Sequence, residues 1–241
     1  MITTKAGSQG FRWWFGKVED RDDPQKLGRV KVRVFNVHPQ KEALVTKNDL
    51  HWAFVIMPPF SAGHERIGMS PTGIVVDSVV FGFFVDGEEG QVPMVLGTLA
   101  SMPGGIADNN DVPKPAREIN DVKKSPLGPE PASAYASKYP YNKVIQTEGG
   151  HVVEVDDTPG HERIHIFHKA GTYTEINEDG RKVDKVNNDN YHIVAGNEEV
   201  YIKGNVNVRV IGNVNIVVDG TYTLESKGNM TLKAPRIDLN P

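Results

Sequence analysis

The stretches Val200-Tyr-Ile-Lys-Gly-Asn-Val-Asn207 and Val208-Arg-Val-Ile-Gly-Asn-Val-Asn215 repeat one pattern of eight residues. Both begin with Val and end in Gly-Asn-Val-Asn, and the same frame extends in both directions along the chain. The glycines that mark the frame are Gly196, Gly204, Gly212, Gly220 and Gly228. A fixed period in a sequence indicates a repeated structural unit, so this frame decides the architecture of the C-terminal part.

Apolar and polar residues alternate within each octad, which is a strand signal rather than a helix signal. The positions two and four residues before the glycine are apolar in four octads each. The first set is Val194, Ile202, Val210 and Val218, and the second is Val200, Val208, Ile216 and Leu224. The glycine shares their phase, where it can serve a bend with positive φ or a close approach of two backbones. One octad is therefore predicted to be a short strand followed by a corner.

A single copy of this repeat has too few apolar side chains to form a core of its own. Ordering each residue costs conformational entropy, and an open strand edge needs a partner. Stacked turns or neighbouring chains must therefore complete the core. The alternative is an ordinary antiparallel sheet in which the glycines recur by coincidence.

The composition bounds the function classes without selecting one. The chain has 241 residues, a net charge of −4 and no cysteine. Charges of both signs are mixed along the chain, so the net charge does not indicate binding to nucleic acid or to a membrane surface. The lack of cysteine excludes disulfides and thiolate metal sites. No apolar run is long enough to span a bilayer. The first residues lack the apolar core of a secretory signal, so an extracellular destination would need another route, such as lysis.

Proline divides the chain into three parts. Seven of the 16 prolines lie between Pro103 and Pro140, in a stretch with few large apolar residues. Such a composition is typical of an irregular linker. We therefore expect a barrel domain over residues 1–100, a Pro- and Gly-rich linker over 101–142, and a β-strand neck with the octad-repeat β-helix over 143–241.

Five segments of the N-terminal part carry strand patterns. In Arg29-Val-Lys-Val-Arg-Val-Phe35 the valines alternate with cations, which predicts valines pointing inward and Lys31 and Arg33 pointing outward to solvent. The other predicted strands cover residues 13–20, 51–57, 73–86 and 92–98. Five strands without any helical period predict a small closed barrel of the oligonucleotide/oligosaccharide-binding (OB) type.

Barrels of this type often bind single-stranded nucleic acid through stacked aromatic rings and positive charge. Trp13, Trp14, Lys31 and Arg33 are the candidates for such a site. The alternative is that the aromatic residues are core or contact residues and that the cations form a solvated strand face. Acidic residues in the same part of the chain offset the positive charge that a nucleic-acid-binding groove needs, so we expect no nucleic-acid partner. These residues are Asp20, Asp22, Asp23, Glu88 and Glu89.

Two segments of the chain resemble a known family. The first is Val18-Glu-Asp-Arg-Asp-Asp-Pro-Gln-Lys-Leu-Gly-Arg-Val-Lys-Val-Arg-Val34, which includes Pro24, Gly28 and Val30–Val34. It is similar to the N-terminal barrel of the central spike proteins in the baseplate hub of contractile-tailed bacteriophages, to which the spikes of type VI secretion systems are related. The second runs from Val144 to Ile176 and resembles the segment that opens the needle in that family. The octads then resemble its triple-stranded β-helix.

This resemblance implies an all-β protein with an N-terminal OB-fold barrel, a linker and a C-terminal intertwined trimeric triple-stranded β-helix, or β-prism. It implies a homotrimer whose barrels contact a trimeric baseplate hub protein. The needle is then driven through the bacterial outer membrane when the tail sheath contracts. The implied location is the tail baseplate of the virion, after assembly in the host cytoplasm, and no cofactor is implied.

Two features of some relatives are expected to be missing. Some carry a lysozyme domain between barrel and needle, but the interval 101–142 is far too short for that fold, so no catalytic residues are predicted. Some short relatives end in a His-x-His tip that binds iron, whereas this chain ends Arg236-Ile-Asp-Leu-Asn-Pro241. A separate tip-capping protein is the expected substitute.

The densest set of potential metal ligands is His161, His165 and His168 beside Asp156 and Asp157. His168 has the opposite strand parity to the other two histidines, so one strand cannot aim all three at one ion. We therefore prefer exposed or hydrogen-bonded histidines to metal ligands, although a three-fold axis could gather one histidine from each chain.

Two rival functions stay open: a peptidoglycan-degrading enzyme of the tail, and an OB-fold binding module for sugar or single-stranded nucleic acid. A glycosidase needs two carboxylates across one sugar ring, and no such convergence is indicated by the loop residues. No nucleophile, phosphate-loop or zinc-protease motif appears either. The charged loop residues considered are His64, Glu65, Arg66, Asp86, Glu88 and Glu89.

Overall fold

The computed structural model of the chain describes residues 10–64, 67–100 and 131–238. Within these ranges the regular elements are ten β-strands and one short 3₁₀ turn, Gly87–Glu89. The chain divides into two units, Met1–Asn188 and Asp189–Pro241. The first unit contains all ten strands, arranged as a barrel and a separate sheet.

The barrel consists of β1 (Arg12–Asp20), β2 (Val30–Val34), β3 (Trp52–Val55), β4 (Val79–Phe84) and β5 (Pro93–Thr98). The strands close in the order β1-β2-β3-β5-β4. Only the β3–β5 pair is parallel, and the other four pairs are antiparallel. The predicted all-β class with an N-terminal closed barrel of OB type is therefore confirmed.

The barrel core is filled by the inward residues of the alternating strands, mainly valines. The buried cluster comprises Trp14, Val18, Val30, Val32, Val34, Ala53, Val80, Phe84 and Val95.

One predicted strand begins later than expected. Residues 73–78 form a loop in which Asp77 has a positive φ of 69°, and β4 starts only at Val79.

Gly82 in β4 allows the backbone of β5 and a core ring to approach closely. A Cβ atom at this position would lie 2.1 Å from the carbonyl oxygen of Met94 and 2.6 Å from the Trp14 ring. No side chain can make contacts this short, so the close packing requires glycine at position 82, between Phe81 and Phe83. The indole of Trp14 fills the space that a side chain at position 82 would need.

The expectation that Lys31 and Arg33 face solvent is wrong. Both are buried, at 8% and 3% exposure, because the loop between β2 and β3 covers the outer face of β2 while the barrel core covers the inner face. The Lys31 ammonium donates to the carbonyl oxygens of Lys47 and Asn48, each at 3.0 Å. The Arg33 guanidinium donates to the carbonyl oxygens of Pro39 at 2.7 Å and Val45 at 2.9 Å.

The second sheet is an antiparallel meander that follows the barrel in sequence. Its strands are β6 (Asn142–Gln146), β7 (Val152–Asp156), β8 (Arg163–Phe167), β9 (Tyr173–Ile176) and β10 (Lys182–Lys185). Each strand pairs with the next along the chain. Alternate residues therefore form two faces, which differ sharply in character.

Residues 131–138, here called the strap, lie against this sheet. The Ser133 hydroxyl and the Ala134 amide donate to the Glu175 carboxylate at 2.6 and 3.1 Å, and the Lys138 amide donates to the Thr158 hydroxyl at 3.0 Å. The sequence analysis assigned these residues to the linker, of which 101–130 lie outside the described residues. The strap is therefore fixed against the sheet by hydrogen bonds.

The second unit is described over residues 189–238 and bends sharply at each octad glycine. The bends fall at 195–196, 203–204, 211–212, 219–220 and 227–228, and a further bend falls at Pro235. None of the five glycines has a positive φ, and a Cβ atom at any of them would meet no atom within 4 Å. The corners therefore need no left-handed backbone and no close approach within one chain.

Candidate functional site

Five aromatic rings form a continuous patch on the outside of the barrel, here called the aromatic face. Phe11, Trp13 and Phe15 lie on or next to β1, and Phe81 and Phe83 lie on the neighbouring strand β4. The Trp13 and Phe81 rings are stacked, with centroids 5.3 Å apart and an interplanar angle of 6°. Phe11 meets Phe83 edge-on at 5.0 Å, and Phe15 lies 5.0 Å from Phe81.

The aromatic face is open to solvent in the single chain. Phe11, Trp13 and Phe15 are 48%, 54% and 49% exposed. Contiguous exposed apolar surface on a folded domain marks an interaction site, and aromatic side chains are the residues most enriched at protein interfaces. The aromatic face is therefore a candidate surface for binding another protein.

The four residues considered for nucleic-acid binding do not form a common groove. Trp14 is part of the barrel core at 4% exposure, and only Trp13 lies on the surface. Lys31 and Arg33 direct their charges at backbone carbonyls of the covering loop. A stacking platform flanked by free cations, which single-strand binding requires, is not built from these residues.

One face of the β6–β10 sheet, here called the polar face, is buried although it consists largely of charged groups. Arg163 is at its centre and donates to Glu175 at 3.0 Å and to Glu154. The guanidinium lies 4.9 Å from the ring centroid of Tyr135, a strap residue. Buried charges are tolerated when they are paired and hydrogen-bonded, and the strap completes this pairing.

The polar face shifts the pKa values of several groups. Burial lowers the pKa of His165 to about 4, and the positive charge of Arg163 acts in the same direction. Burial alone would raise the pKa of Glu175 and Asp156, but hydrogen bonds hold both below the usual range. The donors are Ser133, Ala134 and Arg163 for Glu175, and Ser137 and Thr158 for Asp156.

The opposite face of the same sheet, here called the apolar face, is exposed although it carries aliphatic side chains. Ile145 pairs with Val153, which pairs with Ile166, and Val155 pairs with Ile164. Exposure of these five residues ranges from 40% for Val155 to 71% for Ile145. The usual arrangement of a one-sided sheet, apolar inside and polar outside, is thus inverted in the single chain.

The three candidate metal-binding histidines lie in different surroundings. His161 is exposed in a turn, while His165 is buried on the polar face with no hydrogen-bond partner for either ring nitrogen among the described residues. His168 is exposed and contacts His151, with ring centroids 4.5 Å apart. Over residues 10–64, 67–100 and 131–238, no three histidine or carboxylate side chains converge as a metal site would need.

Of the carboxylates considered for catalysis, Asp86 serves the backbone, whereas Glu88 and Glu89 are exposed. Asp86 is buried and accepts hydrogen bonds from the amides of Gln91 at 2.6 Å and Val92 at 3.2 Å, which fixes the turn before β5. Asp157, which was considered as a metal ligand, pairs with Lys143 at the surface. Glu65 and Arg66 lie outside the described residues.

Two contacts that depend on strand register could not be predicted from the sequence. The His151–His168 pair arises because Val152 pairs with Phe167, which brings the preceding and following residues together. The aromatic face arises because Trp13 pairs with Phe83 and Phe15 with Phe81. The only signal in the sequence was the alternation of aromatic residues at 11, 13 and 15 and at 81 and 83.

The described residues contain no helix long and apolar enough to cross a membrane.

A closed five-stranded barrel, an antiparallel sheet and an eight-residue bend repeat define an all-β protein with an N-terminal barrel of OB type. The chain belongs to the Gp5 N-terminal OB domain family, whose model matches residues 36–193 and so includes β3, β4 and β5 of the barrel and the whole second sheet.

Two curated relatives carry the same family name. The chain is 33% identical to Protein Gp5 of Vibrio phage KVP40, over 82% of this chain and 62% of that protein. It is 35% identical to the pre-baseplate central spike protein Gp5 of Enterobacteria phage T4, over 44% of this chain and 19% of that protein. The chain therefore spans less than two thirds of the length of either relative.

Proposed function

We propose that this protein is a structural, cell-puncturing spike at the tip of a contractile tail, driven through the host outer membrane when the sheath contracts. The carrying observation is the second unit, in which a chain of the Gp5 family bends once every eight residues over 189–238. A regular succession of short extended segments and corners is what a chain needs to wind around a long axis. The name of the phage T4 relative, a central spike protein, supports the same role.

The needle is proposed to be an intertwined trimer of this chain. Residues 189–238 form no strand pairs within the single chain, and their aliphatic side chains are exposed. Backbone amides and carbonyls rarely stay unpaired in folded structures, and open strand edges invite pairing with another chain. Two further copies with the same period supply partners of equal length for every octad.

The proposed role is mechanical, with no catalysis and no cofactor. Two features of the barrel and sheet support a stiff structure that transmits force: the buried ion pairs of the polar face and the loop that locks onto Arg33. Lys31, Arg33, Asp86 and Asp156, which the sequence offered as functional candidates, are engaged in hydrogen bonds of the fold. Two rival roles, a peptidoglycan hydrolase and a binding module for sugar or nucleic acid, are distinguished from this proposal by assays of peptidoglycan clearing and oligonucleotide binding.

The partners follow from the same proposal. The aromatic face is a suitable surface for a trimeric baseplate hub protein, because its five rings are contiguous and three of them, Phe11, Trp13 and Phe15, are exposed. The octad frame lapses at Pro235, and a separate tip-capping protein is proposed to cover the needle there. The protein would then reside in the tail baseplate of the virion, after assembly in the host cytoplasm.

The assembly is tested by the mass of the purified full chain in solution. Light scattering should give three times 26.6 kDa. A stable, folded monomer would contradict the proposal.

The role is tested by location and by activity. Gold-labelled antibodies against the chain should mark the end of the tail that faces the cell. The purified chain should not clear peptidoglycan suspensions, and it should not retain a labelled single-stranded oligonucleotide. Release of peptidoglycan fragments would instead favour the hydrolase, and retention of the oligonucleotide would favour the binding module.

A further inference from the structure

We propose that His192 and Glu198 from three copies of this chain together bind a divalent first-row transition cation such as zinc. The proposal rests on the proposed trimer, because a single chain supplies only two of the ligands. The ion is structural and takes no part in a reaction. The site lies within residues 189–238 and involves no residue of the barrel or of the β6–β10 sheet.

Glu198 breaks the charge pattern of the octads. Alternate residues share a face of an extended chain, and the octad glycines lie on one of these two phases, here called the apolar phase. From 194 to 234 the apolar phase carries only apolar residues, glycines and Ser226, with Glu198 as the one charged exception. In later octads Val206 and Val214 occupy the equivalent position. The other charged residues of this stretch all lie on the opposite phase: Glu199, Lys203, Arg209, Asp219, Glu225, Lys227 and Lys233.

His192 has the same parity as Glu198 and meets it across the first bend of the unit. The bend falls at 195–196, between the two residues in sequence. The Nε2 atom of His192 lies 3.4 Å from a carboxylate oxygen of Glu198. The two side chains are 69% and 53% exposed in the single chain, so both are accessible to a further partner. Each chain thus presents an imidazole nitrogen and a carboxylate together.

Assembly of three copies would gather three such carboxylates. In the proposed needle the apolar phase faces the other two copies, so each Glu198 would leave water in the company of two like charges. A buried carboxylate without a partner is costly, and like charges at short range repel each other. A cation bound between the copies removes both penalties, because it neutralises the carboxylates and replaces the water that they lose.

The donor set decides which kind of cation fits. Three copies supply three imidazole nitrogens and three carboxylates. Calcium and magnesium prefer ligand sets made of oxygen, whereas imidazole favours zinc and other first-row transition ions. The neutral imidazole and the ionised carboxylate are the forms that bind. The pairing of His192 with Glu198 therefore favours a transition ion over an alkaline-earth ion.

Metal analysis of the untagged full chain, produced in cells supplied with zinc, tests the site. After gel filtration in metal-free buffer, elemental mass spectrometry should find one zinc ion for every three chains. X-ray absorption at the zinc edge should show imidazole and carboxylate ligands, and this readout needs no variant. His192→Asn and Glu198→Gln should each lose the ion.

His151→Asn is the matched control, because the His151 ring contacts His168 in the first unit and this pair could take up zinc by itself. The control should retain one ion for every three chains. Zinc that is lost in His151→Asn but kept in His192→Asn overturns the proposal, since the ion would then lie in the first unit.

Two further outcomes separate this inference from the proposed function. A trimer that holds no zinc above background overturns the metal site and leaves the spike intact as a proposal, with His192 and Glu198 neutralising each other directly. A folded monomer overturns the trimeric needle, and the metal site with it. The mass of each variant is measured first. If a variant fails to assemble, the zinc content and the absorption spectrum of the unaltered trimer decide.

Discussion

Arg33 and Glu19 form an ion pair that is enclosed between the barrel and its covering loop. The register of the β1–β2 pair shifts between Val18 and Asp20, so Glu19 is the extra residue of a bulge. The Arg33 guanidinium donates to both Glu19 carboxylate oxygens, through Nη2 at 2.9 Å and through Nε. The bulge thereby turns an acidic side chain toward Arg33, which together with Lys31 holds the loop.

Replacing Glu19 by Gln should destabilise the barrel by about 2 kcal/mol, because it leaves the Arg33 charge buried without its counter-ion. The free energy of unfolding in urea measures this change. The matched control is Lys17→Gln, which removes an exposed ion pair with Asp77 at 2.8 Å and should cost less than about 1 kcal/mol. Equal losses in the two variants would show that the burial of Arg33 does not matter.

Replacing Gly82 by Ala should destabilise the barrel by about 3 kcal/mol or more, because overpacking forces the backbone apart. The added methyl group would have to displace the Met94 carbonyl or the Trp14 ring. Gly97→Ala is the control in the adjacent strand β5, since a Cβ atom there meets nothing within 4 Å. Thermal unfolding of both variants decides the matter, and a tolerated Gly82→Ala would contradict the packing described for β4.

The stability of the second sheet should fall as the pH drops from about 6.5 toward 4. His165 has a folded-state pKa near 4, below its unfolded value of about 6.5. The unfolded chain therefore binds a proton first, and the stability that is present above pH 6.5 is lost as the pH falls. The loss should reach about 2–3 kcal/mol at pH 4.5.

The pH effect is isolated by His165→Leu, a neutral side chain of similar volume. Calorimetric unfolding between pH 7 and 4.5 should show a shallower dependence in this variant than in the unaltered chain. The pKa values of Asp156 and Glu175 lie below the usual range for carboxyl groups. Protonation of these two groups therefore changes the free energy of unfolding at lower pH and does not mask the difference between the two proteins. Parallel curves for the two proteins would show that His165 is not the titrating group.

Replacing Gly212 by Val should lower the yield of trimer. Within the single chain a side chain at position 212 meets no atom within 4 Å and no positive φ. Any loss of assembly must therefore come from contacts between copies. The control is Asn215→Val, on the opposite strand phase, which should assemble normally. Unchanged mass and melting temperature in Gly212→Val would show that the octad glycines do not face the axis.

The barrel could be predicted from the sequence because its signal is local. Alternating valines in β2 and turn residues between strands define strands without reference to the rest of the chain. The burial of Lys31 and Arg33 could not be predicted in this way, since it depends on where the loop ending near Asn48 folds back. Alternation tells which residues share a face, but not what covers that face.

The same limit applies to the second sheet. The sequence of β7 and β8 separates Glu154, Arg163 and His165 from the aliphatic residues, but it does not say which set is buried. That choice is made by the strap, whose Ser133 lies 42 residues from its partner Glu175. The octad repeat was visible because its period is internal to one segment, whereas these contacts join segments far apart in sequence.

The eight-residue spacing of the bends limits how the length of the C-terminal region can change. An insertion of eight residues between Gly204 and Gly212 would add one complete unit and leave every side chain on its original face. An insertion of a single residue would exchange the two faces of everything that follows, because side chains alternate along an extended chain. The length of this region is therefore adjustable only in whole steps of eight residues.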